Sequence, residues 1–314
     1  MVEDYPRTIL EMERRFANED ACREYLCQLR WPNGFVCPRC QGGSAWPASR
    51  GRLVCRVCRH QTSVTAGTIF QDTRKPLVLW FRAIWYVTST KNGTSASSIQ
   101  HVLGLRSYQT AWTWLHKLRR AMVRPGRDKL RGRVEVDETF VGGEDPKEGT
   151  WVDHKAVVVI AAEEDGPGIG RIRLASVPAP TKKSFHRFAQ ETIEPGSSLH
   201  TDGRSAWKEI ETLGYKHRRT ALLEQKDKNA ASRLLPRVHR VASLLKRWLL
   251  GTHQGAVSAE HLDYYLDEFT FRFNRRTSRS RGKLFYRLLQ QTVEVSPTTY
   301  REMVGGHAAK HKPP

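Results

Sequence analysis

Apolar residues at Ile9, Leu10, Met12, Phe16, Cys22, Tyr25 and Leu26 recur at roughly helical intervals, predicting an amphipathic helical lead-in over residues 1–30. Residues 31–70 then break into short strand-like and turn-like stretches that carry cysteines. Between 76 and 122 the pattern turns helical again in PLVLWFRAIWYVTST, TSASSIQHVL and SYQTAWTWLHKLRRAM, the last two separated by GLRS. Ile99, Val102 and Leu103 should face inward on the first helix of that pair. Ala111, Leu115, Leu118 and Met122 form the inward stripe of the second.

From Val134 the period shortens to two. VEVDETFVGG, KAVVVIAAEED and RIRLASVPAP read as strands bounded by Gly, Pro or charged turns. KKSFHRFAQETI reads as a helix and SLHTDGRSAW as a strand and turn, with a further strand expected around Tyr215–Leu223. After Pro236 a long helix carries Val238, Val241, Ala242, Leu245, Trp248 and Leu249 as one apolar stripe. A helical basic region should run on to about Gln291, and the tail ending GGHAAKHKPP is expected to be mobile. The pattern therefore predicts several domains: a helical lead-in (1–30), a cysteine module (31–70), a helix-turn-helix-like module (71–128), a strand-rich domain (129–291) and a C-terminal tail (292–314).

Charge narrows the partner. The 314 residues hold 52 Lys and Arg against 32 Asp and Glu, a net charge of +20, and 39% of them are hydrophobic, enough for packed cores. Such an excess points to a polyanion, most often nucleic acid. A membrane surface is the rival, but no run approaches the ~18 apolar residues of a spanning helix. MVEDYPRTILEMERRF lacks the basic and apolar regions of a signal peptide, so a reducing cytoplasm is expected. The six cysteines then read as metal ligands or free thiols.

Four of them, Cys37, Cys40, Cys55 and Cys58, form two CxxC pairs. Each pair can bite one Zn²⁺ from a tight turn, and two complete a closed, structural tetrahedral site. Cys22 and Cys27 fall outside this pattern and read as buried small hydrophobes. In the helical pair, Arg106, Tyr108, Gln109 and Thr113 would lie at the exposed start of a recognition helix; a plain αα-hairpin is the alternative.

Two aspartates carry the candidate chemistry. Val134 and Val136 alternate with Glu135 and Asp137, so Asp137 projects from the strand face opposite the valines. Asp202 ends a second strand-like run just before Gly203. Two such carboxylates can hold a pair of Mg²⁺ or Mn²⁺ ions for phosphoryl transfer. His239 and Lys246, two turns apart beside the apolar stripe, could add a metal ligand or proton relay and a phosphate contact. In Phe271–Arg287 the basic side chains Arg272, Arg275, Arg276, Arg279, Arg281 and Lys283 interleave with Phe271, Phe273, Phe285 and Tyr286, as phosphate-binding segments do. Arg247, next to Lys246, joins the same DNA-binding set.

CPRC…CRVC, VEVDETFVGG, HTDGRSAW with LGYKHRR, and SLLKRWLLGTHQGAVSAEHLDYYLDEFTFRFNRR occur in an order that resembles bacterial insertion-sequence transposases of the ISXO2-like group. Those proteins join a zinc ribbon to a DDE-type, RNase H-like catalytic domain. The resemblance covers the chain from about Thr8 to Gln290. It implies an α/β RNase H-like domain with a mixed sheet after the ribbon and the helical module. It also implies that Asp137 and Asp202 are the first two catalytic acids, and that the third position, seven residues before Lys246, is His239, where many relatives carry Glu or Asn. Glu260 and Glu268 are fallback acids. Imidazole is a poorer Mg²⁺ ligand than carboxylate, so Mn²⁺ could be preferred. The implied protein is a DNA transposase of the bacterial cytoplasm and nucleoid, binding terminal inverted repeats and target DNA as a homo-oligomer. A non-catalytic DNA-binding regulator and a metal-dependent nuclease are the alternatives.

Overall fold

The computed structural model describes residues 3–124, 126–142, 155–220, 233–255 and 257–305. Expectations for Gly143, for the strand beyond Thr220 and for the tail from 306 lie outside those residues. The chain divides into two compact units: residues 1–126 with 278–314, and residues 127–277.

The first unit opens with α1 (Ile9–Arg15) and α2 (Glu19–Arg30), started by the side chains of Thr8 and Asn18, which accept backbone N–H groups of the first turn. Met12, Phe16, Cys22, Tyr25 and Leu26 are buried as the periodicity requires, but Ile9 and Leu10 are exposed. A three-stranded antiparallel ribbon follows, β1 (Ala45–Ala48), β2 (Arg52–Cys55) and β3 (Gln61–Ser63). Next come α3 (Leu77–Ser89), α4 (Ala96–Val102) and α5 (Tyr108–Ala121). Helix α3 is apolar on nearly every side because it is buried on nearly every side. Ala111, Leu115, Leu118 and Met122 of α5 are buried as expected, whereas Val102 at the end of α4 faces solvent.

The second unit is built on a five-stranded mixed sheet. Its strands are β4 (Arg133–Val141), β5 (Ala156–Asp165), β6 (Gly168–Val177), β7 (Ser198–Thr201) and β8 (Lys216–Arg219), in the order β6-β5-β4-β7-β8. The β4–β5 and β5–β6 pairs are antiparallel; β4–β7 and β7–β8 are parallel. Helix α6 (Lys182–Thr192) covers one face, and α7 (Pro236–His253) and α8 (Leu262–Phe273) cover the other. β5 reads as a continuous apolar run because both of its faces are covered. Val159 and Ala161 join Val134, Val136 and Phe185 in one core, while Val158 and Ile160 join Val238, Val241, Leu245 and Phe269 in the other. Each fully buried aliphatic side chain of α7 is worth about 1.5–3 kcal/mol.

The outer strand β6 is closed off by side chains of the FNRR region. Asn274 accepts the Ile172 N–H at 2.8 Å and donates to its carbonyl at 3.1 Å; Asp263 accepts the Ser176 N–H at 2.9 Å. These side chains occupy two positions of the outward edge, which blunts it against pairing with another chain.

Helix α8 ends at Phe273, and the expected continuous basic helix is broken there. A new helix, α9 (Arg281–Thr292), starts after the Ser280 cap and belongs to the first unit, followed by α10 (Tyr300–Val304). Fully buried Phe285 of α9 meets the rings of Phe16, Phe81 and Trp85 at 5.9, 5.8 and 5.5 Å. At Gly282 an added Cβ would collide with the Pro6 carbonyl, so only glycine permits this crossing. Among the described residues no helix is long and apolar enough to cross a membrane.

Candidate metal centre

The register of two parallel strands brings the acids together. Arg133, Val134 and Glu135 of β4 stand opposite Ser198, Leu199 and His200 of β7. Two rungs further, Asp137 and Asp202 come level, Asp202 being the first residue beyond Thr201. Here β4 leads away to β5 on one side and β7 to β8 on the other, so the crevice lies where the strand order reverses, at the strands' C-terminal ends.

The acid cluster has three members. Oxygen atoms of Asp137, Glu138 and Asp202 all lie within 4.8 Å of one another. Glu138 points to the sheet face opposite Asp137, which is why the strand pattern alone did not pick it out. β4 runs on to Val141 after β7 has ended, so the loop after Thr201 can reach around to it. Only 1% of the Glu138 side chain is exposed, and among the described residues neither oxygen has a hydrogen-bond partner. The Arg204 guanidinium lies against Oε1 as an ion pair, but without the angles of a hydrogen bond. Arg204 meets Asp202 squarely, its Nε donating to Oδ2 at 3.0 Å and its backbone N–H to Oδ1 at 3.1 Å.

Burial pushes the Asp137 carboxyl up to about 7, and the charges of Glu138 and Asp202 add to that. Burial raises Glu138 too, against the pull of Arg204. Burial and neighbouring negative charge disfavour the ionised forms of Asp137 and Glu138, and the open lone pairs of Glu138 face inward. This donor set suits a hard divalent metal. His239, on the first turns of α7, places Nε2 3.5 Å from Asp137 Oδ2. Among the described residues that buried nitrogen has no hydrogen-bond partner, and burial holds the imidazole below its ordinary value, leaving the ring neutral with a lone pair to offer.

The four knuckle cysteines form a second cluster. Sulfur separations are 3.7 Å for Cys37–Cys58 and 3.6 Å for Cys40–Cys55, close to the ~3.8 Å edge of a tetrahedron built on Zn–S bonds. The two turns repeat each other. Cys37 N–H donates to Gly42 and Cys55 N–H to His60, both at 3.0 Å, and the residue after each second cysteine, Gln41 or Arg59, has positive φ. Backbone N–H groups of Cys58 and Val57 bring the Cys55 thiol down to about 7 against burial. Cys40 receives the Gly42 N–H, yet the surrounding sulfurs push it up to about 12. Four sulfurs converging at these separations make a closed tetrahedral donor set, so the site fits Zn²⁺. Cys22, outside the cluster, is pushed up to about 12 by burial, as suits an inert core residue.

Residues 129–274 match the ISXO2-like transposase domain family, and residues 17–61 match the transposase zinc-ribbon family. The chain carries an ISXO2-like transposase domain behind a transposase zinc ribbon. An uncharacterized protein in transposable element ISH50 of Halobacterium salinarum is 25% identical over 300 residues, spanning 89% of this chain and 98% of the relative. The acid trio sits inside the ISXO2-like domain, and both CxxC pairs sit inside the ribbon match.

The other candidate residues of the ISXO2-like domain are placed less uniformly. Lys246 and Arg247 are exposed on α7, Lys246 about 10 Å along the helix axis from His239. Arg272 is paired with buried Glu268 at 2.7 Å, which takes that fallback acid away from the trio; Glu260 lies in a separate short turn. Arg275 and Arg276 lie over the rings of Phe271 and Phe273 at 4.0 and 4.1 Å, and Arg276 also donates to the Gly170 and Ile169 carbonyls. In the other unit, Arg279 and Arg281 are exposed and Lys283 pairs with Glu3 at 3.0 Å. Arg106, Tyr108 and Gln109 are exposed at the start of α5, while the Thr113 hydroxyl turns back to the Gln109 carbonyl at 2.7 Å. Gln109 and Thr113 line a cleft of about 350 Å³ together with Arg74, Lys75 and Lys117.

Proposed function

We propose that this chain is a DNA transposase that hydrolyses a phosphodiester at the ends of its element and joins the freed 3′-OH to target DNA. The observation that carries this reading is the half-buried trio of Asp137, Glu138 and Asp202 within a transposase-family domain of a strongly basic chain. These carboxylates would hold two Mg²⁺ or Mn²⁺ ions, which when bound activate the attacking oxygen and stabilise the leaving one. Asp137 and Asp202, carried by neighbouring parallel strands, would be the first residues to hold the cation. Glu138 supplies the carboxylate that the histidine at position 239 does not. His239 presents a neutral nitrogen beside Asp137, and Lys246 engages a DNA phosphate. The zinc ribbon and the α4–α5 pair, with Arg106, Tyr108 and Gln109 foremost, bind the terminal inverted repeats. The exposed Arg247, Arg279 and Arg281 contact backbone phosphates. A homo-oligomer bridges the two ends.

The test is cleavage and strand transfer on DNA carrying the element's ends, with Mg²⁺ or Mn²⁺. Wild type should give joined products that disappear with Asp137→Asn and Asp202→Asn. Cut but unjoined DNA would favour a nuclease, and tight binding without cutting in either metal would favour a regulator.

A further inference from the structure

The side chain that sits among the acids is not one that the proposed chemistry requires. Arg204 follows Asp202 by two residues in the loop after β7, and about half of its side chain is exposed. Its guanidinium reaches inward to Asp202 Oδ2 and Glu138 Oε1, oxygens of the same trio that a divalent cation would have to use. Asp202 is 10% exposed and Glu138 1%, so both acids are largely screened from solvent beside Arg204. Metal and guanidinium therefore compete for one set of lone pairs. The Glu138 contact lacks hydrogen-bond angles, so Arg204 neutralises this buried acid without filling its coordination. A planar guanidinium bound in this way is a charge placeholder, and its natural alternative partner is the planar, bidentate face of a phosphate.

Resting on the proposed metal-dependent reaction, we propose that Arg204 is an exchangeable counterion. It occupies the metal's place in the resting enzyme, is released when the metal binds, and then grips a DNA phosphate beside the reacting bond. It acts as a positioning residue, coupling metal loading to DNA capture. The pair is half in solvent, so the competition is modest, a factor of about three to ten in metal affinity.

Mn²⁺ binding to the full-length, zinc-loaded protein, read by electron paramagnetic resonance without DNA, tests the exchange. Arg204→Ala and Arg204→Gln should each bind Mn²⁺ about three- to tenfold tighter than wild type. DNA affinity against salt, with catalytically inert Ca²⁺, tests the release. The wild-type slope should steepen by about one phosphate contact when Ca²⁺ is added, and neither variant should show that change. Weaker or unchanged Mn²⁺ binding in both variants would overturn the proposal, as would a slope that responds to Ca²⁺ equally in all three proteins. If wild type and Asp137→Asn alike bind no Mn²⁺, the metal-site reading itself fails, which is a different result.

Discussion

Glu135 accepts the backbone N–H of Val238 at 3.1 Å, tying the strand that carries Asp137 to the first turn of the helix that carries His239. The same carboxylate takes the Arg237 N–H at 2.7 Å and its guanidinium at 2.8 Å, and is itself buried. An anion at a helix N-terminus, fully hydrogen-bonded, is favourable there. Glu135 thus sets the 3.5 Å approach of His239 to Asp137 without entering the acid trio.

Removing it should be costly. Glu135→Ala leaves two backbone donors unpaired, while the Arg237 guanidinium keeps the Gly166 and Gly168 carbonyls and Glu164, so a loss of about 1–3 kcal/mol is expected in urea unfolding. Glu135→Gln should cost less. A loss under about 1 kcal/mol for the alanine variant would show that α7 is held by its apolar stripe alone.

The pH dependence of the metal-free protein follows from Asp137. Its carboxyl ionises near its ordinary value of 3.8 in the unfolded chain and near about 7 in the folded one. Between those values the folded state holds the extra proton, so this group's contribution to stability falls as pH rises from about 4 to about 7. Relative to Asp137→Asn, wild type should lose of order a few kcal/mol across that window. Mn²⁺ must displace the proton, so its affinity should climb with pH and level off above about 7. Parallel stability curves for the two proteins would sink the idea.

Zinc should prove structural. Cys55→Ser removes the ligand most easily ionised at neutral pH, and metal content should drop from about one zinc per chain towards none. The ribbon β1–β3 should then become protease-sensitive while the ISXO2-like domain keeps its fold. Unchanged zinc content in that variant would reassign the metal.

Phe285→Ala probes the helix that the basic pattern disguised. A ring with no exposed surface and three aromatic neighbours should cost about 3–5 kcal/mol on truncation. Arg281→Ala, an exposed side chain at the first position of the same helix, should change stability by less than about 0.5 kcal/mol.

Several parts of this architecture could be read directly from the chain. The alternation of VEVD separated Val134 and Val136 from Asp137, and the structure puts the valines against α6 and the aspartate towards α7. The stripe from Val238 to Leu249 packs on the sheet as its spacing requires. Glu138 was hidden by the same rule that revealed Asp137, because adjacent strand positions face opposite ways. Only the early end of β7, a tertiary fact, lets both reach one crevice. The basic run was harder still. Positive charge in a sequence does not distinguish an arginine that meets phosphate from one that meets Glu268 or the Gly170 carbonyl. Ile9, Leu10 and Val102 kept a helical period yet stay in water, since a period says which residues share a face but not that the face is covered.

The first unit is discontinuous, and that sets a timetable for synthesis. As the chain leaves the ribosome, the end of α1 and α3 emerge early, but the Phe285 ring that fills the space between Phe16, Phe81 and Trp85 is made some two hundred residues later. The acid-bearing unit, 127–277, is contiguous and complete before then. A nascent chain can therefore finish its acid-bearing unit while the unit bearing its ribbon still shows unpaired aromatic surface, the state most exposed to chaperones and proteases. Ordered in this way, maturation of the full protein waits on its last helices, and a chain stalled before Arg281 would be left with a folded sheet and an open core.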